Sequence, residues 1–202
     1  KNVNSASMES AASSSRNETT LPLAPTLSAS STASTTSSVN FDVNNNNENG
    51  SLAISGYKVT HSPTNSVSQP VAKTPANTAA DATGVDTQLT GLAANTTYTI
   101  TCVNVGTGGD SASSSSTTAT TLPVAPSLSG SDTANTKTTA NILISNNNTV
   151  STLNIDNYKI LLGGALHKTQ SAGNTASNAT NTDTAIADLS ANTTYTITVK
   201  NI

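Results

Sequence analysis

The chain has no tryptophan, one phenylalanine, one cysteine and one methionine, and charged residues make up only 9% of it. Each shortage closes a route. Cys102 has no internal partner, so disulfides are not what holds small domains together here, and the thiol reads as a small buried hydrophobe rather than a reactive group. The 8 Lys and Arg residues form no run and the net charge is −3, which leaves no electrostatic footprint for nucleic acid or an anionic membrane surface. The longest runs of large aliphatic residues, Ile142-Leu143-Ile144 and Ile160-Leu161-Leu162, are far short of the roughly 20 that cross a bilayer, so no membrane insertion is expected. The chain opens Lys1-Asn2-Val3 rather than with methionine and an apolar signal, which reads as a processed form or an excised part.

Chemistry is equally scarce. His61 and His167 have no Cys, Asp or second His at ligand spacing, and are expected to be surface residues just past a strand. No Gly-x-Ser-x-Gly elbow, no Asp-x-Asp-x-Asp-Gly calcium loop and no Arg-Gly-Asp occur, and the single arginine, Arg16, precedes Asn17. The expectation is no enzyme, with no catalytic, metal or cofactor-binding residue and no cofactor.

What the chain does have is a duplication. Leu92-Ala-Ala-Asn-Thr-Thr-Tyr98-Thr-Ile100-Thr-Cys102 recurs as Leu189-Ser-Ala-Asn-Thr-Thr-Tyr195-Thr-Ile197-Thr-Val199. A leucine, a short polar loop and a tyrosine opening an alternating run suit a corner between two packed sheets: the ring goes inward while its hydroxyl reaches backbone in the preceding loop. Leu92, Tyr98, Leu189 and Tyr195 are therefore the expected tyrosine corners. The composition is rich in Ser, Thr and Asn, but its apolar residues fall in alternating clusters, which argues against wholesale disorder.

The rest of each copy aligns around the corner. Leu21-Pro-Leu-Ala-Pro-Thr-Leu-Ser matches Leu122-Pro-Val-Ala-Pro-Ser-Leu-Ser, and prolines so spaced suit an edge strand at the start of a domain. A second strand is expected at Val39–Val43 and Ala140–Ile144, followed by Asn-rich turns from Asn44 to Gly50 and Asn146 to Thr149 that should be exposed. A third should run from Leu52 to Val59 and from Leu153 to Ile160, with short candidates at Val67–Val71 and Leu166–Thr169. The fifth strand runs up to Leu89 and Leu92, or Ile186 and Leu189; the sixth covers Tyr98–Val103 and Tyr195–Val199. One core should hold Phe41, Ile54, Tyr98, Ile100 and Cys102, the other Ile142, Ile155, Tyr195, Ile197 and Val199.

A seventh strand follows through Ser111–Thr121 in the first copy, whereas the second stops at Lys200-Asn-Ile202. Glu9–Thr20 nevertheless matches Asp110–Thr121. Residues 1–20 thus read as the seventh strand of a preceding or neighbouring repeat, 21–121 as a first domain, and 122–202 as a second lacking its seventh strand.

On the paired prolines, the Ile-x-x-Tyr-Lys-Val/Ile third strand, the Leu-x5-Tyr corner and the Gly/Ser/Thr exit into the next Leu-Pro-x-Ala-Pro, the repeats resemble fibronectin type III domains. The resemblance implies an all-β chain of tandem seven-stranded fibronectin type III-like (immunoglobulin-like) β-sandwiches without a cofactor. Phe41 and Ile142 stand where the family usually has tryptophan, so these cores are small.

Sequons begin at Asn17, Asn49, Asn95, Asn147, Asn178 and Asn192. In so Asn-, Ser- and Thr-rich a chain their number carries nothing, but all fall in the leader or in loops expected to be exposed, so they are candidate glycosylation sites. The functional expectation is a structural repeat module of a secreted or cell-surface filament, stalk or adhesin. Its partners would be copies of itself, joined head-to-tail, and covalent glycans. Spacer modules of a secreted enzyme or receptor, or a carbohydrate- or protein-binding module, are the alternatives; the last would want exposed aromatics, and all four tyrosines occupy core or strand positions.

Overall fold

The computed structural model describes residues 10–64 and 68–202. Lys1–Glu9 and Val67, the start of one short strand candidate, lie outside the described residues.

Two antiparallel β-sandwiches follow one another along the chain. In the first, β1 (Thr26–Ala29), β2 (Ser38–Asn44) and β5 (Val85–Thr90) form one sheet in the order β1-β2-β5. The facing sheet is β4 (Val71–Lys73), β3 (Gly56–Ser62) and β6 (Thr97–Gly106), with β7 (Gly109–Asp110) and β8 (Thr117–Thr120) both paired to the outer edge of β6. Period-two alternation produces this: Val39, Phe41 and Val43 from β2, Tyr57 and Val59 from β3, and Tyr98, Ile100 and Cys102 from β6 all point into one core.

The second sandwich repeats the plan. Its sheets are β9 (Ser127–Gly130), β10 (Ala140–Ser145) and β13 (Thr182–Ile186) in the order β13-β10-β9, and β12 (Ala165–Ser171), β11 (Asn157–Leu162) and β14 (Ile197–Asn201) in the order β12-β11-β14. Ile144, Ile155, Tyr158, Ile160, Ile186, Leu189 and Val199 form its core, with Ile142, Tyr195 and Ile197 half-buried against it. Among the described residues, no strand pairs with the outer edge of β14.

Four local expectations are corrected. The third strands begin at Gly56 and Asn157 rather than at Leu52 and Leu153. Ile54 and Ile155 are buried all the same, but their N–H groups donate to Thr78 and Thr175 in distant loops instead of to a sheet neighbour. The prolines of the two motifs precede β1 and β9, and only the last three residues of each motif lie within the strand.

The Asn-rich turns are not uniformly exposed. Asn45 and Asn146 are 0% accessible. Each accepts the hydroxyl of the third-strand tyrosine, Tyr57 at 2.7 Å and Tyr158 at 2.8 Å, and each donates its amide to a loop carbonyl, Ala79 or Ala176. Asn104 and Asn201, at the ends of β6 and β14, then bind the Asn45 and Asn146 carbonyls and those of Leu23 and Val124. This clasp ties the proline-bracketed start of each sandwich to its sixth strand and pairs the buried Tyr57, Tyr158, Asn45 and Asn146 side chains, leaving the Asn104 and Asn201 carboxamide oxygens buried without a partner among the described residues. Burial pushes the Tyr57 hydroxyl up to about 12, with the nearby Cys102 adding to the rise, and raises Tyr158 in the same direction.

The fourth correction is His61, which lies on β3 itself and is 1% exposed. It continues the inward alternation of Tyr57 and Val59, stacks edge-on against Tyr98 with ring centroids 5.3 Å apart, and places Nδ1 3.1 Å from the Pro63 carbonyl. His167 is half-buried on β12, with Nε2 3.1 Å from the Ala187 carbonyl.

Candidate functional site: the corner loops and the strand edges

In both corners the tyrosine hydroxyl accepts a backbone N–H just after the leucine: Ala93 to Tyr98 at 2.9 Å, and Ser190 to Tyr195 at 2.8 Å. Leu92 and Leu189 are buried beneath. The Ser190 hydrogen bond holds the Tyr195 hydroxyl below its ordinary range. Between leucine and tyrosine, Asn95 and Asn192 adopt left-handed backbone with φ of 51° and 52°, a conformation asparagine tolerates.

The first corner loop is also the joint with the second sandwich. Asn95 donates its backbone N–H to the Leu122 carbonyl at 3.0 Å, and its own carbonyl accepts the Leu153 N–H at 2.9 Å. Its carboxamide donates to the Leu153 carbonyl and, at 3.4 Å, to the Thr152 hydroxyl. The Thr121 hydroxyl donates to the Ala93 carbonyl at 2.7 Å and accepts the Thr96 N–H at 3.0 Å. Asn95 is consequently 5% exposed, which corrects the expectation that all sequons lie open: its carboxamide is consumed by the joint. Asn17, Asn49, Asn147, Asn178 and Asn192 are exposed, although Asn147 spends its amide on the Ala125 carbonyl at 3.0 Å.

The outer edge of β6 is sealed by serines. Where β7 ends, Ser111 donates its N–H to the Asn104 carbonyl and accepts the Asn104 N–H on its hydroxyl, at 2.9 Å each. Ser114 does the same for Cys102, at 2.8 and 3.0 Å. Buried hydroxyls thus stand in for backbone carbonyls until β8 resumes regular pairing with Thr97–Ile100. Burial drives the Cys102 thiol up to about 12, leaving it protonated and unreactive at neutral pH.

At the equivalent place in the second sandwich there is an open cleft of about 360 Å³, lined by Thr136, Ala140, Ile142, Ser190, Tyr195 and Ile197 among others. Among the described residues, none of 10–20 lines this cleft. Residues 10–20 form no strand and are exposed, and Arg16 pairs with Glu18.

Among the described residues, no three His, Cys, Asp or Glu side chains gather at metal-binding distance, and no helix is long and apolar enough to cross a membrane. Sequence reasoning missed the asparagine clasp and the serine seal. The in-register recurrence of Asn45 with Asn146 and of Asn104 with Asn201 beside the repeated tyrosines was the available signal.

No family model matches the chain, and no curated protein matches it. Among solved structures, the central fibronectin-III array of RIM-binding protein aligns at 15% identity and a TM-score of 0.33, covering 90% of this chain and 63% of that one. The chain thus spans less than two thirds of that structure's length.

Proposed function

We propose that the chain is a non-catalytic structural unit of a head-to-tail array of fibronectin type III-like sandwiches, in which residues 1–20 of one unit complete the 122–202 sandwich of the next. The observation that carries this is the contrast between two equivalent strand edges. β6 has its outer edge filled, while β14 offers the Val199 and Asn201 amides beside half-buried Tyr195 and Ile197. An unpaired edge is a template for strand addition.

The leader has the matching groups. Ser10 and Ser13 stand where Ser111 and Ser114 seal β6, and Thr20 stands where Thr121 clamps the corner loop. Arg16 and Glu18 replace half-buried Thr117 and Ala119 at the rim, where their long side chains extend past the sheet with the charges in water. Strand donation of this kind is heterologous, and where its rotation does not close it builds filaments rather than rings. The array would be secreted or at a cell surface, and the exposed sequons at Asn17, Asn49, Asn147, Asn178 and Asn192 would be its glycan sites.

Sedimentation velocity tests the reading. The full chain should form oligomers of increasing length as concentration rises, and an excess of synthetic peptide spanning residues 1–20 should shorten them by capping the free edge. A chain that stays monomeric up to millimolar concentration, or oligomers indifferent to the peptide, would count against it.

A further inference from the structure

The joint between the two sandwiches is built from residues that recur at the two open ends of the chain. One half of the joint is Thr121, Leu122, Thr152 and Leu153; its counterparts beside the first sandwich are Thr20, Leu21, Ser51 and Leu52. The other half is the Ala93–Thr96 corner loop, whose counterpart at the far end of the second sandwich is Ser190–Thr193.

The match extends to backbone shape. Asn192 holds the same left-handed conformation as Asn95, and Gly50 (φ 87°) precedes Ser51 as Ser151 (φ 69°) precedes Thr152. Both ends are open: Leu52 is 60% exposed, and Asn192 is exposed where Asn95 is buried. Among the described residues, neither the Leu52 N–H nor the Asn192 carboxamide makes a hydrogen bond. A cleft of about 300 Å³ beside Leu52, lined by Thr20, Leu21, Pro22, Ser51 and Gly108, borders the unfilled position.

We propose that the Ser190–Thr193 corner loop of one copy docks on the Thr20–Leu21 and Ser51–Leu52 segments of a second copy, reproducing the internal joint between copies. The occupant follows from identity of donors and acceptors. Asn192 accepts the Leu52 N–H on its carbonyl, donates its carboxamide to the Leu52 carbonyl, and donates its backbone N–H to Leu21; the Thr20 hydroxyl donates to the Ser190 carbonyl. Every group is the same type as in the internal joint, and Ser51 keeps the hydroxyl of Thr152. Because the internal joint fixes how one sandwich sits on the next, the same contacts between copies give the array a constant step from sandwich to sandwich. The proposal rests on the head-to-tail reading but uses different atoms from the strand donation, so the two can fail separately.

The test is a concentration series of the ¹⁵N-labelled full chain followed by amide resonances. Docking predicts that Leu52 and Asn192 shift together as concentration rises. Asn192→Asp keeps the left-handed backbone but removes the donor, and should weaken the association about tenfold, the scale of one lost hydrogen bond. Leu52→Pro, which deletes the facing N–H at a position outside any strand, should weaken it comparably. The Tyr195 resonances report whether each variant keeps its corner. Shifts at Val199 and Asn201 without shifts at Leu52 and Asn192 would overturn the docking and leave strand donation standing. Shifts at Leu52 and Asn192 alone would support the docking and remove strand donation. Shifts at neither set, or an Asn192→Asp chain that keeps its corner and associates as tightly as the parent, would overturn the docking.

Discussion

The two sandwiches share a plan, a corner and a core alphabet, yet their sixth strands are buried to different depths. Tyr98 and Ile100 are 1% and 0% exposed, whereas Tyr195 and Ile197 remain half-buried against the second core. The strand sequences are nearly the same, so the cause lies outside them. β8 and the Ser111–Ser114 segment cover the β6 edge, and among the described residues nothing covers β14. Burial here is a property of the neighbouring strand as much as of the residue.

The largest expected effect breaks the comparison at its core. Ile100→Ala should destabilise the first sandwich by about 2–5 kcal/mol, the usual cost of deleting a fully buried aliphatic side chain. Ile197→Ala in the isolated chain should cost roughly half as much or less, because fewer contacts are lost where the residue is half-exposed. Urea denaturation of the two variants beside the parent measures the difference, and equal losses would show that the open edge does not matter to stability.

The corner gives the next largest difference. Tyr98→Phe should cost about 1 kcal/mol by removing the partner of the Ala93 N–H from a fully buried tyrosine, and Tyr195→Phe less, since Tyr195 is only half-buried and water can replace its hydroxyl. Thr99→Ala, pointing outward from the same strand, should change stability by under about 0.5 kcal/mol. Thermal melts of the three would sort them.

Alkali should separate the sandwiches as well. The Cys102 thiol, raised by burial from 9.0 to about 12, contributes stability that is fully present below pH 9 and is lost as pH climbs towards 12. Val199 in its place has no proton to lose. Cys102→Val should therefore flatten part of the alkaline decline, and a thiol reagent at pH 8 should label the parent only as fast as the first sandwich opens. Rapid labelling of the native chain would contradict its burial.

The smallest effect lies at the acid end. The Asp183 carboxylate accepts the Thr133 and Ser131 hydroxyls, which hold it below its ordinary range. Its contribution is present above the ordinary carboxylate range near 3.8 and disappears as pH falls through the lowered value. Asp183→Asn should leave the melting temperature less sensitive to pH below 4, a small change because the group is exposed.

The sandwich plan was legible because its strands obey a period of two and because the chain repeats itself: Val39, Phe41 and Val43, or Tyr98, Ile100 and Cys102, announce a buried face without help. What escaped was polar burial. Asn45, Asn146, Asn95 and His61 are buried because a carbonyl, hydroxyl or aromatic ring from a distant segment waits for them, at Tyr57, Tyr158, Leu153 and Tyr98 respectively. Such partners are set by topology, and residue type in isolation points the other way. The start of β3 was misplaced for a related reason. Ile54 stands three residues before Tyr57, an odd spacing that a continuous strand would send to the opposite face, and it reaches the core because its N–H donates to Thr78 rather than along a strand.

Hydrogen exchange at the Val199 and Asn201 amides, with Cys102 and Asn104 as the internal standard, tests the central claim most directly. In dilute solution the second pair, sealed by Ser114 and Ser111, should be protected while Val199 and Asn201 exchange fast. As the full chain is concentrated and Ser13 and Ser10 of neighbouring copies reach the β14 edge, the protection of Val199 and Asn201 should rise towards that of Cys102 and Asn104. Exchange at Val199 and Asn201 that stays fast at every concentration, while their counterparts remain protected, would contradict the account.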